Sequence, residues 1–334
     1  MASQPTTSDP IGVKVITFKT AESFLNALGR RNRLWGPNPE AWLFRGHGDA
    51  SWPLVPTLLR NGVSCAIVPL RRPMIPESHL VQVKAEYAIL NEYAHRLAQS
   101  GYAIPGFGSQ WFAAGFDAEI ERRLFAAISG ELPWLLEEFL PLAASAQHSG
   151  LPTRLLDWSI APLSAAYFAA THAARQMVDK AERGKDGPKV RGCHLAVWAL
   201  DRFLLRRLPQ QNQWGRGKPK PGDFFAAEIS TPWSDHPNIK AQQGVFLLCR
   251  EFCIAETPVC RDPIDVRLGS LIGRLGLETK VDKLFVKLML PYSQARRLLR
   301  LLHIEGFNYS RLFPGYEGVA KALLERRLFD DVAD

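Results

Sequence analysis

Runs of apolar residues with two different periods alternate along this chain. IGVKVITF begins as an apolar–polar alternation and predicts a strand, and Thr20 is placed to cap a helix over 20–30. AWLFRG is a short apolar run that ends in Arg-Gly, the pattern of a buried strand and a turn. Prolines break SWPLVPTLLR, and a polar, Pro-rich loop follows through Pro76. Leu80, Val83, Tyr87, Leu90, Ala94 and Leu97 then recur in steps of three and four, which predicts an amphipathic helix of about five turns. Residues 101–118 are rich in Gly and aromatics and read as a loop, followed by helices at about 117–129 and 131–147.

Pro152 keeps GLPTR out of a helix, and Pro162 suits the first turn of the next one, 160–178. Leu163, Ala166, Tyr167 and Ala170 give that helix a narrow face able to pack closely. CHLAVWAL, GVFLLCREFCI and KLFVKLMLP predict three strands. A short basic helix is expected at 201–208, a turn-rich loop in QQNQWGRGKPKPGD and a basic amphipathic helix in SQARRLLRLLHIEG. A last helix runs from Glu317 to Phe329. Long strands and helices mixed without a repeat or a linker predict an α/β fold of the α+β type. The expected plan is a single mixed-sheet domain with a helical insertion over 77–147, a basic loop region over 183–222 and a flexible tail over 1–10.

Composition narrows the function classes. The chain has 334 residues, with 46% hydrophobic and 22% charged, which excludes wholesale disorder. No apolar run is long enough to span a membrane, and MASQPTTSDP has no hydrophobic segment, so the expectation is a cytoplasmic protein with no membrane partner. The five cysteines include no CxxC pair and read as core thiols. The histidines are scattered and no HExxH occurs, so no metal is expected; neither a P-loop nor a GxGxxG is present. The net charge is +8, and the stretch from Arg183 to Lys220 alone holds ten Lys or Arg against two acids. Such a patch suits nucleic acid or another polyanion, and it equally suits a solvated loop.

Candidate chemistry concentrates in QHSGLPTRLLDW, residues 147–158, expected to turn at the edge of a cleft facing the loop after Arg45. His148 can hydrogen-bond a sugar hydroxyl or act as a base near neutral pH, or it can simply close a helix. Arg154 and Asp157 form either a local ion pair or, with Thr153, a phosphate clamp. Arg45 is a phosphate ligand with Gly46 allowing close backbone approach, or else the partner of a buried carboxylate. Trp158, Tyr167 and Phe168 read as core, with one ring free to stack on a base. Gln242 and Gln243, before Gly244 and a strong strand, suit recognition of an amide or hydroxyl.

Phe44-Arg45-Gly46, the block from Gln147 to Trp158 with Pro162 and Tyr167-Phe168-Ala169, Gln242-Gln243-Gly244 with Phe246, and Leu312-Phe313-Pro314 with Gly318 occur in order. Together they resemble the FRG domain family of bacteria and phages, over about 41–325 and implying one FRG domain over 11–330. Ser149 stands where the family usually carries an aromatic, and Ile239-Lys240 where an arginine is expected. Arg45-Gly46 at a strand end also resembles the opening motif of mono-ADP-ribosyltransferases. That resemblance implies NAD as substrate, Arg45 on its phosphates, His148 on its ribose and Gln243 where a catalytic glutamate normally sits. No Glu-x-Glu or Gln-x-Glu stands at that position, so either Gln243 substitutes for the glutamate or a distant acid such as Glu86 or Glu251 swings in.

Three functions follow as expectations. One is an ADP-ribosyltransferase-like or NAD-cleaving enzyme, acting as a toxin or anti-phage effector, with a cognate antitoxin and nucleic acid as partner or target. A second is a metal-independent nuclease using His148, Arg45 and Arg154. The third is a nucleotide- or nucleic-acid-binding module without chemistry.

Overall fold

The computed structural model describes residues 12–60, 77–112, 116–182, 194–208, 220, 222–230, 237–277 and 283–329. The expected tail and most of the basic region over 183–222 lie outside the described residues. Seven strands form one mixed sheet: β1 Val13–Thr17, β2 Trp42–His47, β3 Leu156–Ser159, β4 His194–Asp201, β5 Phe224–Ile229, β6 Gly244–Glu251 and β7 Phe285–Pro291. Their order is β1-β7-β4-β2-β3-β6-β5, and among the described strands only β1 and β7 pair in parallel. The helices are α1 Ala21–Leu28, α2 His79–Gln99, α3 Phe116–Ile128, α4 Leu140–His148, α5 Pro162–Glu182, α6 Arg202–Arg207, α7 Pro237–Gln242, α8 Ile264–Arg274, α9 Ala295–Ile304, α10 Tyr309–Leu312 and α11 Tyr316–Glu325. No helix among the described residues is long and apolar enough to cross a membrane.

The two-residue period of the strands sorts the core into layers. Phe44, Val197, Ala199, Val286 and Leu288 pack on one face with α1, α5 and α9. Their neighbours Leu43, Trp198, Leu200 and Phe285 pack on the other face with Ile264, Leu268, Leu271 and Ile272 of α8. Farther along the sheet, Phe246 and Leu248 of β6 join a third cluster built by α2, α3 and α4. The helices of the first and third clusters therefore meet at a seam near β2 and β3.

Several elements differ from the sequence expectation. The helix expected over 131–147 starts only at Leu140, after a 3₁₀ turn at Glu137–Phe139. Pro133 disfavours helical backbone at the residue before it, and Trp134 instead exchanges both backbone hydrogen bonds with Glu251. β6 stops at Glu251, short of Cys253. The last helix ends at Glu325 and tightens into a 3₁₀ turn. The strands β3 and β5 and the helix α8 had no counterpart in the pattern reading. Cys249 and Cys253 are buried, and burial pushes their thiols up to about 11 and about 12.

Candidate functional site

β2 and β3 share a single register pair, Phe44 opposite Ser159. Beyond it the ladder opens, and the Arg45 side chain fills the gap. Its Nη1 donates to the Asp157 carbonyl at 2.5 Å, and its Nε donates to His47 Nε2 at 3.2 Å. A cleft of about 350 Å³ opens at this split. Arg45 and Gly46 of β2, Gln147 and His148 at the end of α4, and Asp157 of β3 contribute to its walls. Phe168 of α5, Asn238 and Gln242 of α7, and Phe313 complete them. The volume lies at the lower end of the range for small-ligand sites.

A polar chain holds this wall in place. Thr153 Oγ1 accepts from Leu155 N and donates to Gln147 Oε1 at 2.8 Å; Gln147 Nε2 donates to Asp157 Oδ2 at 2.9 Å. The same Asp157 oxygen lies 3.6 Å from Arg45 Nη1. Arg45 is only 13% exposed, whereas the Asp157 carboxylate is 56% exposed and faces the cleft. The opposite wall is aromatic, with Phe168 set edge-on to Phe313 at 6.2 Å. Gln242 is fixed by its Nε2 donating to the Leu312 carbonyl at 3.2 Å, and its own carbonyl accepts from Ser159 Oγ at 2.6 Å.

The floor beneath Arg45 is electropositive. His47 is buried, and its basicity falls to about 3, first through burial and then through the charges of Arg45, Arg60 and Lys287. Burial also lowers the Arg45 and Lys287 values. His47 is thus neutral near pH 7, with Nε2 free of a proton to accept from Arg45. Its folded value lies below the unfolded 6.5, so the unfolded chain takes up a proton first as pH falls. The resulting stability is fully present above 6.5 and is lost between 6.5 and about 3. His47→Gln keeps an acceptor for Arg45 and removes this titration. The unfolding free energy of the variant, from urea titrations, is expected to depend less steeply on pH across that window, by about 1.4 kcal/mol per pH unit. Equal slopes in the two proteins would contradict the buried, neutral imidazole.

Several expected site residues lie elsewhere. Arg154 forms neither the local pair with Asp157 nor a clamp at the cleft: it is buried and grips Glu86 with Nε at 2.7 Å and Nη2 at 2.6 Å. Asp157 is paired across the sheet with Arg45 instead. Thr153 acts on Gln147 and does not line the cleft. Gly46 borders the cleft, but its missing Cβ serves packing: a Cβ there would meet the Ala165 carbonyl oxygen of α5 at 2.0 Å. Gln243 borders a separate cavity beside Arg30, Pro162 and Phe307. It has a φ of 49°, and its carbonyl accepts from Ile160 N, so it shapes the turn into β6. Neither expected distant acid is free to swing in, because Glu86 is locked on Arg154 and Glu251 lies 2.6 Å from Arg267.

Three wall residues had escaped the sequence reading as ligands. Gln147 and Phe313 were visible inside quoted motifs, and their role follows from the polar chain and the aromatic wall. Asn238 carried no signal beyond its position ahead of the paired glutamines. Of the basic stretch, Arg202 is paired with Glu228 at 2.6 Å and Arg206 lies 3.9 Å from the same carboxylate, so part of its charge is neutralised within the protein.

No curated protein and no solved structure matches the chain. Residues 40–177 match the family model of the FRG domain. That span contains Arg45, Gln147, His148, Asp157 and Phe168, while Asn238, Gln242 and Phe313 come from beyond it. The polar chain that joins Arg45 to the Gln147–Asp157 segment thus lies within the span that is similar to the FRG domain.

Proposed function

We propose that the cleft binds a nucleotide of the NAD type and cleaves its nicotinamide–ribose bond, transferring ADP-ribose to water or to another acceptor. The observation that carries this reading is the presence of Arg45, His148 and the exposed Asp157 carboxylate on one cleft, opposite the Phe168–Phe313 wall. The electropositive floor around Arg45 favours a phosphate. The rings suit a base or nicotinamide, and Gln242 and Asn238 suit hydroxyl and amide groups. In the reaction the bond from ribose C1′ to the nicotinamide nitrogen breaks, and its electron pair leaves with nicotinamide. The Asp157 carboxylate stabilises the positive charge that builds on the sugar, as carboxylates do in glycoside cleavage. An oxygen nucleophile then adds to C1′, and its proton passes to His148. Asp157 supplies the carboxylate that is missing beside Gln242 and Gln243. Consumption of NAD in a cell would make the protein a toxin or an anti-phage effector.

A binding module without chemistry is the second reading, favoured by the two internal hydrogen bonds that Arg45 already makes. The nuclease reading loses its basis, because Arg154 is in the core and not beside His148. Calorimetric titration with ADP-ribose tests the nucleotide site shared by the first two readings. The intact protein is expected to bind, and Phe313→Ala to weaken binding by about tenfold through loss of stacking. A folded protein that takes up neither ADP-ribose nor NAD would rule out both.

A further inference from the structure

A second cavity, of about 240 Å³, lies between α5, α10 and α11. Arg175, Tyr309, Lys321, Leu324, Glu325 and Arg327 line it. Its three cations come from three different elements, and each is solvent-accessible. The carboxylate among the described lining residues does little to neutralise them. Glu325 is buried, accepts from Tyr167 and lies within 3.4 Å of Thr171 Oγ1, and its closest cation, Arg175, is 3.9 Å away. Lys321 has an exposed partner in Glu317, a surface pair of small energetic weight. The concavity therefore presents an excess of positive charge to solvent.

An aromatic ring borders the same cavity. Tyr309, which lines this cavity, stacks on Phe313, which lines the cleft, with ring centroids 4.4 Å apart. The stacked pair thus stands between the two cavities, and Lys321 Nζ lies 5.5 Å from the Tyr309 ring. Tyr316, at the start of α11, is 99% exposed. It begins an outward stripe continued by Val319, Leu323 and Leu324. A concave cationic site bordered by the half-buried Tyr309, with the exposed Tyr316 on the same helix as Lys321, is a combination that suits single-stranded nucleic acid, with phosphates on the cations and a base on a π-face. The net charge of +8 acts in the same direction.

We infer that this cavity holds a backbone phosphodiester of a single-stranded nucleic acid, with Lys321, Arg327 and Arg175 around the phosphate and Tyr316 stacking on an adjacent base. The surface differs from the basic stretch over 183–220, and it stands whether or not the cleft cleaves NAD.

The test is fluorescence anisotropy with a short labelled oligouridylate and the deoxy strand of the same length, over a series of salt concentrations. The intact protein is expected to bind at low salt. The double variant Lys321→Ala/Arg327→Ala changes two exposed side chains. It is expected to bind about tenfold more weakly, with a salt slope shallower by about 1.4. Tyr316→Ala is expected to lose affinity while keeping the full slope, because stacking releases no counterions. The double variant should keep intact affinity for ADP-ribose. No binding by the intact protein, or equal affinity and slope in the double variant, would overturn the inference. So would loss of ADP-ribose binding in the double variant, since the two sites would then not be separate. A protein that binds the strand but not ADP-ribose would retain this inference and lose the cleft reading.

Discussion

Replacing Arg154 by alanine is expected to destabilise the protein by about 3–5 kcal/mol, the usual cost of breaking a buried ion pair from one side. Both Glu86 oxygens are engaged: Oε1 accepts from Arg154 Nη2 and Gln82 Nε2, and Oε2 accepts from Arg154 Nε and Trp134 Nε1. Removal of the guanidinium leaves the carboxylate in the core with two neutral donors and no counter-charge. The desolvation of the charge then stands unopposed. Replacing both partners together, as Glu86→Leu/Arg154→Met, removes the orphaned charge and is expected to recover much of the loss. Urea unfolding of the two single variants and the double variant measures this. A loss below about 1 kcal/mol in Arg154→Ala would mean that the pair does not hold the fold.

The same experiment separates two roles for Arg154. A phosphate ligand at the cleft would leave a stable variant that fails to bind. The arrangement here predicts that stability is lost first. Ligand binding then suffers because Arg154 sits between Thr153 and Asp157, on the segment that forms the cleft wall. Glu86 lies on α2, so the pair ties the helical cluster of α2–α4 to β3 at the seam where the cleft opens. The energetic weight of this motif residue is thus placed beneath the site and not in it.

The second large effect is expected at Asp157. Asp157→Asn keeps an oxygen able to accept from Gln147, and the main anchor of Arg45 is the Asp157 carbonyl, which the substitution leaves in place. The cleft should keep its shape, and affinity for ADP-ribose should change little. What is lost is a negative charge facing the cleft. Removal of one preorganised electrostatic group typically costs about a hundredfold to a thousandfold in turnover. A fall in kcat of that size with ADP-ribose binding preserved is the signature of a group that acts on the transition state. Parallel loss of binding and stability would instead assign Asp157 to holding Arg45.

The physical reasons for what could and could not be read from the chain differ by element. The long elements carried their own signals: β2, β4 and β7 as apolar runs, α2 by its three-and-four spacing, and α5 by the proline at its start. β3 has only four residues, and Leu156 and Trp158 give it just two inward positions, too few to register as alternation. β5 buries Phe224, Phe225 and Ala226 in succession, so no period of two is visible. α8 does show the helical spacing, with Ile264, Leu268, Leu271 and Ile272, and the preceding prolines masked it.

At the site, the motif placed Arg45, His148 and Asp157 on one cleft, but it did not reveal the pairing. Arg154 and Asp157 stand three apart in the chain, and each takes a partner from far away, Glu86 and Arg45. Local spacing cannot reveal such exchanges, because charge pairing in a sheet is set by strand order. Gly46 illustrates the same limit. Its value as a residue without a Cβ is legible, but whether the space goes to a ligand or to α5 depends on the packing above the strand.

Under the proposed function, Asp157 and His148 work on a nicotinamide–ribose bond held in the cleft. The most direct test is nicotinamide release from NAD by the purified protein, set beside Asp157→Asn and His148→Ala proteins whose folding is verified. Release by the intact protein that falls by about a hundredfold or more in Asp157→Asn is the expected result. No release by a folded protein that binds ADP-ribose, or release that both variants retain in full, would rule out cleavage by these two residues.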